Sequence, residues 1–287
     1  MSADRPLDPL PSPLIAELVD RALLEDLGLA GDITTEATIP DTSTSRAAIR
    51  ARTTGVVAGL ALAEEAFFQV DEDIRFEATA NDGDRVAAGA ALAEVSGPAR
   101  GILTGERTAL NFVGHLSGIA TLTARFVEQA RGTGAKIVCT RKTTPGLRAA
   151  EKYAVRAGGG MNHRFGLYDA VLIKDNHIAA AGGIVHAIRA AKARAGHMVK
   201  IEIEVDTLDQ LDLAVDEGCD VVMLDNMPPD MMREAVRKVP GHIITEASGG
   251  VSLETVRAIA ETGVDLISVG ALTHSAPSLD VGLDFLD

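Results

Sequence analysis

Six short apolar runs in the second half of the chain each end in residues able to do chemistry. These are Thr140-Arg141-Lys142, Lys174-Asp175-Asn176, Glu204, Asp225-Asn226, Ser248-Gly249-Gly250 and Gly270-Ala271. Arginine offers a planar fork matched to carboxylate or phosphate oxygens, and lysine a compact positive charge. A carboxylate held among apolar residues must meet a cation, a metal or hydroxyl groups, because burying it unpaired costs several kcal/mol (roughly 3–5). Glycine turns let backbone N–H groups approach a phosphate. The charge pattern agrees. The stretch 136–177 carries eight Lys or Arg against three acids, in a chain whose net charge is −14. A cationic island in an acidic protein is expected where an anion is held. Arg141, Lys142 and Lys174 follow apolar runs and are expected to face that anion. His163 and Arg164 join them from the intervening loop, His163 as a possible donor. Lys152 and Arg156 fit a solvated helix face.

The acids show a period of two. Lys200, Glu202 and Glu204 alternate with Ile201, Ile203 and Val205, so the charged set faces one side of a strand and the apolar set the other. An internal Lys200–Glu202 ion pair is one expectation. Glu204, nearest the strand's end, is the better candidate for ligand contact. Asp225 ends VVMLD, and Pro228 and Pro229 place the next helix too late for simple capping to explain it. The turns at Ser248-Gly249-Gly250 and Gly270, on two consecutive late strands, fit a phosphate cradle. His115, His186, His197 and His242 are expected to be structural or exposed, and His177 and His274 carry no spacing that demands a role. The chain has no HExxH, no H-x-E and no GxSxG, which argues against a protein-held zinc and against a hydrolase serine.

The elements that must position these residues follow from the rhythm after Lys136. Apolar, β-branched runs at 136–140, 170–174, 199–205, 220–224, 242–247 and 265–269 alternate with amphipathic segments such as 147–157, 184–195, 208–217, 229–239 and 253–262. Strands alternating with helices imply βαβ crossovers and a parallel sheet. About six units at this spacing suit an α/β barrel, open or incomplete, better than two Rossmann halves. The six chemical strand ends then share its C-terminal face. Before Lys136 the pattern differs. Residues 13–28 read as a helix, GDITTEATIP as a turn into an extended segment, 46–57 as a strand and 60–70 as a helix. Residues 74–99 read as two strands around Gly- and Asp-rich turns, like half of a biotinyl- or lipoyl-type hairpin. No lysine precedes Lys136, so a carrier function is excluded. Residues 101–131 read as two helices broken near Gly114 to Gly118. The tail from Pro277 is too short for another βα unit and is expected to pack on the N-terminal domain.

Composition narrows the function class. A net charge of −14, no Trp and two Tyr argue against nucleic acid and anionic membrane as partners. Apolar residues make up 46% of the chain, enough for a full core. No apolar stretch approaches the ~18 residues of a membrane span. The N-terminus, DRPLDPLPSP, lacks the basic-then-apolar order of a signal segment, and a cytoplasmic location is the expectation. Cys139 and Cys219 lie far apart within apolar runs and read as reduced core thiols.

Taken together, LLEDLGLAGDITTEATIP, GERTALNFVGHLSGIAT, TRKTTPG, GGGMNHRFGLYD, KDNH, EIEVDTLDQLDLA, MLDNM, EASGGV and SVGALTHS resemble the quinolinate phosphoribosyltransferase family. The resemblance spans essentially the whole chain. It implies transfer of a 5-phosphoribosyl group from phosphoribosyl pyrophosphate to quinolinate, with loss of pyrophosphate and carbon dioxide, to give nicotinate mononucleotide for NAD synthesis. It implies an N-terminal α/β sandwich (residues 1–117, joined by the tail 275–287), an open α/β barrel (118–274), magnesium dependence, and a homodimer or larger homo-oligomer. By the same resemblance, Arg141, Lys142, His163, Arg164 and Lys174 form the quinolinate pocket, Thr140 is a further substrate-binding residue, and Arg107 reaches the partner subunit's site. Glu204 and Asp225 contact the ribose near magnesium, and Ser248, Gly249, Gly250 and Gly270 hold the 5-phosphate. Lys142 and Lys174 are the candidates for stabilising charge during decarboxylation. Rival readings are a ModD-type protein linked to molybdenum transport, a non-catalytic sugar-phosphate-binding barrel, and an isomerase or aldolase in which Lys174 would form a Schiff base.

Overall fold

A computed structural model describes residues 7–286; the start of the proline-rich stretch, residues 4–6, and residue 287 lie outside the described residues. The elements run α1 (Ser12–Leu27), α2 (Ile33–Thr38), β1 (Thr44–Ala51), β2 (Gly55–Val56), α3 (Leu60–Val70), β3 (Arg75–Ala78), β4 (Arg85–Val86), β5 (Ala91–Pro98) and α4 (Ala99–Gln129). There follow β6 (Lys136–Val138), α5 (Arg148–Ala157), β7 (Val171–Ile173), α6 (Asp175–Ala181), α7 (Ile184–Arg194), β8 (Ile201–Val205), α8 (Leu208–Asp216) and β9 (Val221–Asp225). The last are α9 (Pro229–Lys238), β10 (Ile244–Ser248), α10 (Val256–Ala260), β11 (Leu266–Ser268), α11 (Ala271–His274) and β12 (Val281–Leu286). The chain divides into two compact units. The first comprises residues 1–124, 144–159 and 275–287, and the second 125–143 and 160–274. The division thus falls seven residues later than the expected 117/118 boundary and assigns α5 to the first unit.

In the first unit an antiparallel sheet has the order β12-β1-β5-β3, with Arg46 opposite Leu286 and Ala51 opposite Val281 in the β1–β12 pairing. Helix α2 was not foreseen. Its signal is Asp32, whose carboxylate accepts the Thr35 N–H at 2.9 Å, a standard N-cap. The expected break near Gly114–Gly118 is also absent, because α4 is one continuous helix of 31 residues. These glycines serve close packing. A Cβ at Gly118 would lie 2.2 Å from the Pro277 carbonyl oxygen, and one at Gly114 would lie 3.1 Å from that of Leu279. The tail crosses α4 where only hydrogen fits. Lys152, expected on a solvated face, is fully buried, beside a fully buried Glu151 that His115 contacts through Nε2 at 2.9 Å. Helix periodicity misplaced Lys152, because α5 is held by residues remote in sequence: His115 on Glu151, and Asp82, which accepts from the Tyr153 hydroxyl at 2.7 Å.

The second unit holds a six-stranded parallel sheet of order β6-β11-β10-β9-β8-β7. The first strand pairs with the last, so the sheet curls into a barrel that stays open between β6 and β7. Met161 lies along this seam as an isolated bridge to β6. Its N–H donates to Ile137 at 2.8 Å, and its carbonyl accepts from Cys139 at 3.1 Å. The stretch from Met161 to Ala170 therefore runs where a further strand would stand. On the strands one phase faces the outer layer: Ile203, Val222, Leu224, Ala247 and Ile267 are wholly buried, each large aliphatic contributing about 2 kcal/mol by burial. The other phase, including Glu202, Glu204, Met223, Asp225, Glu246, Ser248 and Ser268, points inward.

The expected Lys200–Glu202 pair does not form. Lys200 stands before the first residue of β8, at the far end from the cavity, and its Nζ donates to Asp220 at 2.7 Å. Both cysteines are buried and neither forms a disulfide, and burial raises the Cys219 thiol to about 11. Among the described residues no helix is long and apolar enough to cross a membrane.

Candidate active site

A cavity of about 760 Å³ opens at the C-terminal ends of the second unit's strands. Its lining includes Thr140, Arg141, Lys142, His163, Arg164, Lys174, Glu204, Asp225, Ser248, Gly249, Gly250 and Gly270. All of the sequence-derived candidates therefore meet there except Arg107. That residue lies on α4, largely exposed, with Glu106 3.7 Å from its guanidinium.

The cationic side is built from the ends of β6 and β7 and from the seam. Lys142 is pinned through its backbone: its N–H donates to Thr140 Oγ1 at 3.1 Å, and its carbonyl accepts from Thr273 Oγ1 at 2.7 Å. Arg164 donates from Nη1 to the Ala170 carbonyl at 3.0 Å. Burial and the neighbouring Arg141 charge both pull the Arg164 pKa down. The Nε atoms of Arg141 and Arg164 are buried without a hydrogen-bond partner. Both guanidiniums line the cavity, and their planar forks suit a planar dianion. Asp169 shapes the loop between them and β7, accepting from the N–H groups of Phe165 at 2.7 Å and Gly166 at 2.9 Å. Those bonds hold its carboxyl below the usual range although burial opposes them.

The acidic side comes from β8 and β9. Glu204 accepts from Lys174 Nζ at 2.7 Å, with the lysine half exposed and the glutamate 11% exposed. The Lys174 N–H donates to His177 Nδ1 at 2.9 Å, which gives His177 a local role at the start of α6. Asp225 accepts from Asn226 Nδ2 at 2.5 Å, and the Asn226 N–H donates to the Ser248 carbonyl at 2.9 Å. Asn226 is the sole non-glycine residue at positive φ (52°) among the described residues. This twist ties the end of β9 to the Ser-Gly-Gly turn after β10. A Cβ at Gly249 would lie 2.1 Å from Asn226 Oδ1.

His163 differs from expectation. Its Nδ1 accepts the Arg164 N–H at 2.8 Å, which leaves Nε2 as the nitrogen that carries hydrogen. Nε2 points into the barrel, 3.0 Å from Glu202 Oε2 and 3.6 Å from Glu246 Oε1. Its donor is aimed at buried acids rather than at the cavity. Glu246, Glu202 and Asn226 escaped sequence reasoning as site residues. For Glu246 the signal was available: in ITEAS it shares the inward phase of Ser248, the rule that drew attention to Glu204. Asn226 gave none, because its role depends on its backbone twist.

The comparisons with known proteins agree over most of the chain. The family models for quinolinate phosphoribosyl transferase match residues 32–117 (N-terminal domain) and 119–284 (C-terminal domain). A probable nicotinate-nucleotide pyrophosphorylase [carboxylating] of Bacillus subtilis is 48% identical over 270 residues, covering 94% of this chain and 93% of the relative. That of Mycobacterium leprae is 48% identical over 275 residues, covering 93% and 96%. The solved nicotinate-nucleotide pyrophosphorylase of Francisella tularensis superposes with a TM-score of 0.92 at 40% identity, over 98% of this chain and 99% of that one. With both domain models matched between residues 32 and 284 and relatives of this identity covered over more than nine-tenths of their length, the chain belongs to the quinolinate phosphoribosyl transferase family.

Proposed function

We propose a division of labour within one cavity for the family reaction, in which the phosphoribosyl group of phosphoribosyl pyrophosphate passes to quinolinate with decarboxylation, giving nicotinate mononucleotide, pyrophosphate and carbon dioxide. The enzyme is a decarboxylating phosphoribosyltransferase of NAD biosynthesis. The observation that carries the division is the cavity's polarity: Arg141, Lys142 and Arg164 on one side, Glu204 and Asp225 on the other, and the Gly249-Gly250 and Gly270 turns between them.

Quinolinate's two carboxylates occupy the cationic side of the cavity, against Arg141, Lys142 and Arg164. This brings the ring nitrogen toward the ribosyl carbon held by the acids. As the bond from that carbon to pyrophosphate breaks, positive charge grows on the sugar, and Glu204 and Asp225 stabilise it by fixed charge. The ring nitrogen then bonds to the carbon and becomes cationic. When the carboxylate beside it leaves as carbon dioxide, its bonding electrons stay on the ring carbon, stabilised by that cationic nitrogen. The carbon then takes up a proton. The protein's share is orientation and charge, and Lys142 and Lys174 are assigned the stabilising charge at this step. Ser248, Gly249, Gly250 and Gly270 take the 5-phosphate, and Thr140 lines the carboxylate pocket. His163 acts through Arg164 and the buried acids.

Magnesium fits the acidic side, where two oxygen-bearing side chains face open space, rather than the buried nitrogen-containing cluster of His163, Glu202 and Glu246. The ion would neutralise the leaving pyrophosphate, held by that group and water, near Glu204 and Asp225. Arg107, absent from the cavity lining, is assigned to a second copy's site in a homodimer or larger homo-oligomer. The Lys174–Glu204 pair argues against a Schiff-base lysine, which needs a free amine. The test is a product assay with quinolinate and nicotinate side by side, with phosphoribosyl pyrophosphate and magnesium. Quinolinate is expected to release both pyrophosphate and carbon dioxide; folded protein that yields neither product contradicts the assignment.

A further inference from the structure

At the floor of the cavity, where His163 and Glu246 line it and Glu202 adjoins His163, lies a cluster to which the reaction above assigns no proton transfer. Glu202 on β8 and Glu246 on β10 are 6% and 1% exposed. Their ligating oxygens and His163 Nε2 lie within 4.8 Å of one another. One oxygen of each, Oε1, is buried without a hydrogen-bond partner. Two dehydrated carboxylates at this separation do not both stay ionised at neutral pH. The charged groups around them are Arg141 and Lys142 after β6, Arg164 in the seam, Lys174 after β7, Glu204 on β8, Asp225 on β9 and His274 on α11. With the cavity empty, the pair is the counter-charge to two crowded guanidiniums. A bound dianion takes over that duty.

Resting on the dicarboxylate-pocket reading above, we propose that Glu202, Glu246 and His163 form a buried proton store, which takes up a proton when a dicarboxylate binds at Arg141 and Arg164. Glu246 is the group that exchanges it, and Glu202 with His163 positions it. Burial, and next the Glu202 charge, push the Glu246 carboxyl up to about 7, so Glu246 exchanges its proton in the physiological range. A dianion arriving on the cavity side moves that midpoint further up, by about one pH unit for a nearby like charge. The uptake is then about half a proton near pH 7.5, and close to zero near pH 5.5 and pH 9.5, where Glu246 is fully protonated or fully ionised in both states.

The experiment is calorimetric titration of the full-length protein with quinolinate, without phosphoribosyl pyrophosphate and with a metal chelator. It is run at each pH in buffers of different ionisation heat, so that the slope counts protons. Uptake peaking near pH 7.5, and lost in both Glu246→Gln and Glu202→Gln, is the expected result. Measurable binding with no uptake at pH 7.5, or uptake independent of pH, overturns the store while leaving the pocket assignment standing; neither outcome needs a variant to fold. Uptake that survives in a folded Glu246→Gln protein also overturns it. Failure of quinolinate to bind at any pH removes the pocket reading and the store together.

Discussion

Gly249 and Gly250 stand side by side in the turn after β10, both at positive φ (95° and 60°), yet they face different surroundings. A Cβ at Gly250 meets nothing within 4 Å, whereas one at Gly249 would lie 2.1 Å from Asn226 Oδ1 and 3.0 Å from its backbone nitrogen. Alanine at either position incurs the left-handed conformational cost, about 1–2 kcal/mol. At Gly249 the methyl must also displace the Asn226 carboxamide, an overpacking cost of about 1–3 kcal/mol. Gly250→Ala is therefore expected to lose about 1–2 kcal/mol and Gly249→Ala about 2–5 kcal/mol. At roughly 2–4 °C per kcal/mol for a protein near this size, the second melts about 2–12 °C below the first. Asn226 Nδ2 is bonded to Asp225, so the same displacement moves the carboxylate assigned to the ribosyl carbon. An ångström-scale misplacement costs on the order of 100-fold in turnover. Gly249→Ala should thus lose kcat/KM for phosphoribosyl pyrophosphate well beyond Gly250→Ala, while quinolinate affinity changes little. Thermal melts and initial-rate kinetics on the two variants decide the matter. Equal melting temperatures and equal kcat/KM would refute the coupling from the turn through Asn226 to Asp225.

Gly118→Ala is expected to destabilise by about 1–3 kcal/mol, the clash with the Pro277 carbonyl outweighing the roughly 1 kcal/mol helix gain; a raised melting temperature would contradict the tight crossing of tail and helix. Arg107→Ala and Lys142→Ala are each expected to be inactive alone and to recover part of their activity when mixed under subunit exchange. Proven exchange without recovery would count against a shared site. Glu246 sets a pH dependence of stability. Its carboxyl rises from 4.5 to about 7 on folding, so the folded state binds more protons in that window and stability falls as pH rises through it. Denaturant titrations should show wild type losing on the order of 2 kcal/mol more than Glu246→Gln between pH 5 and pH 8, and parallel losses would show that Glu246 does not carry the dependence.

Periodicity and strand-end chemistry determined much of this protein without any coordinates. The alternation of Ile201, Ile203 and Val205 with Glu202 and Glu204 told which carboxylates turn inward. The common position of Arg141, Lys174, Glu204, Asp225 and Gly249 at strand ends told that they meet, because parallel βα units bring their C-terminal ends to one face. Those are local rules with long-range consequences. Only the tertiary structure decided what depends on a partner remote in sequence. Gly114 and Gly118 read as a helix break because their packing partner is a tail more than 150 residues away. Lys152 read as solvated because amphipathic spacing says which face is polar, and not what covers it. Lys200 was paired with its strand neighbour when an acid at the start of the adjacent strand lay closer. The gap between β6 and β7 is likewise a property of closure, and it lets the Met161–Ala170 stretch bring Arg164 to the cavity while turning His163 toward Glu202 and Glu246. Spacing states which residues share a face; the energy of burying them is settled by what stands opposite.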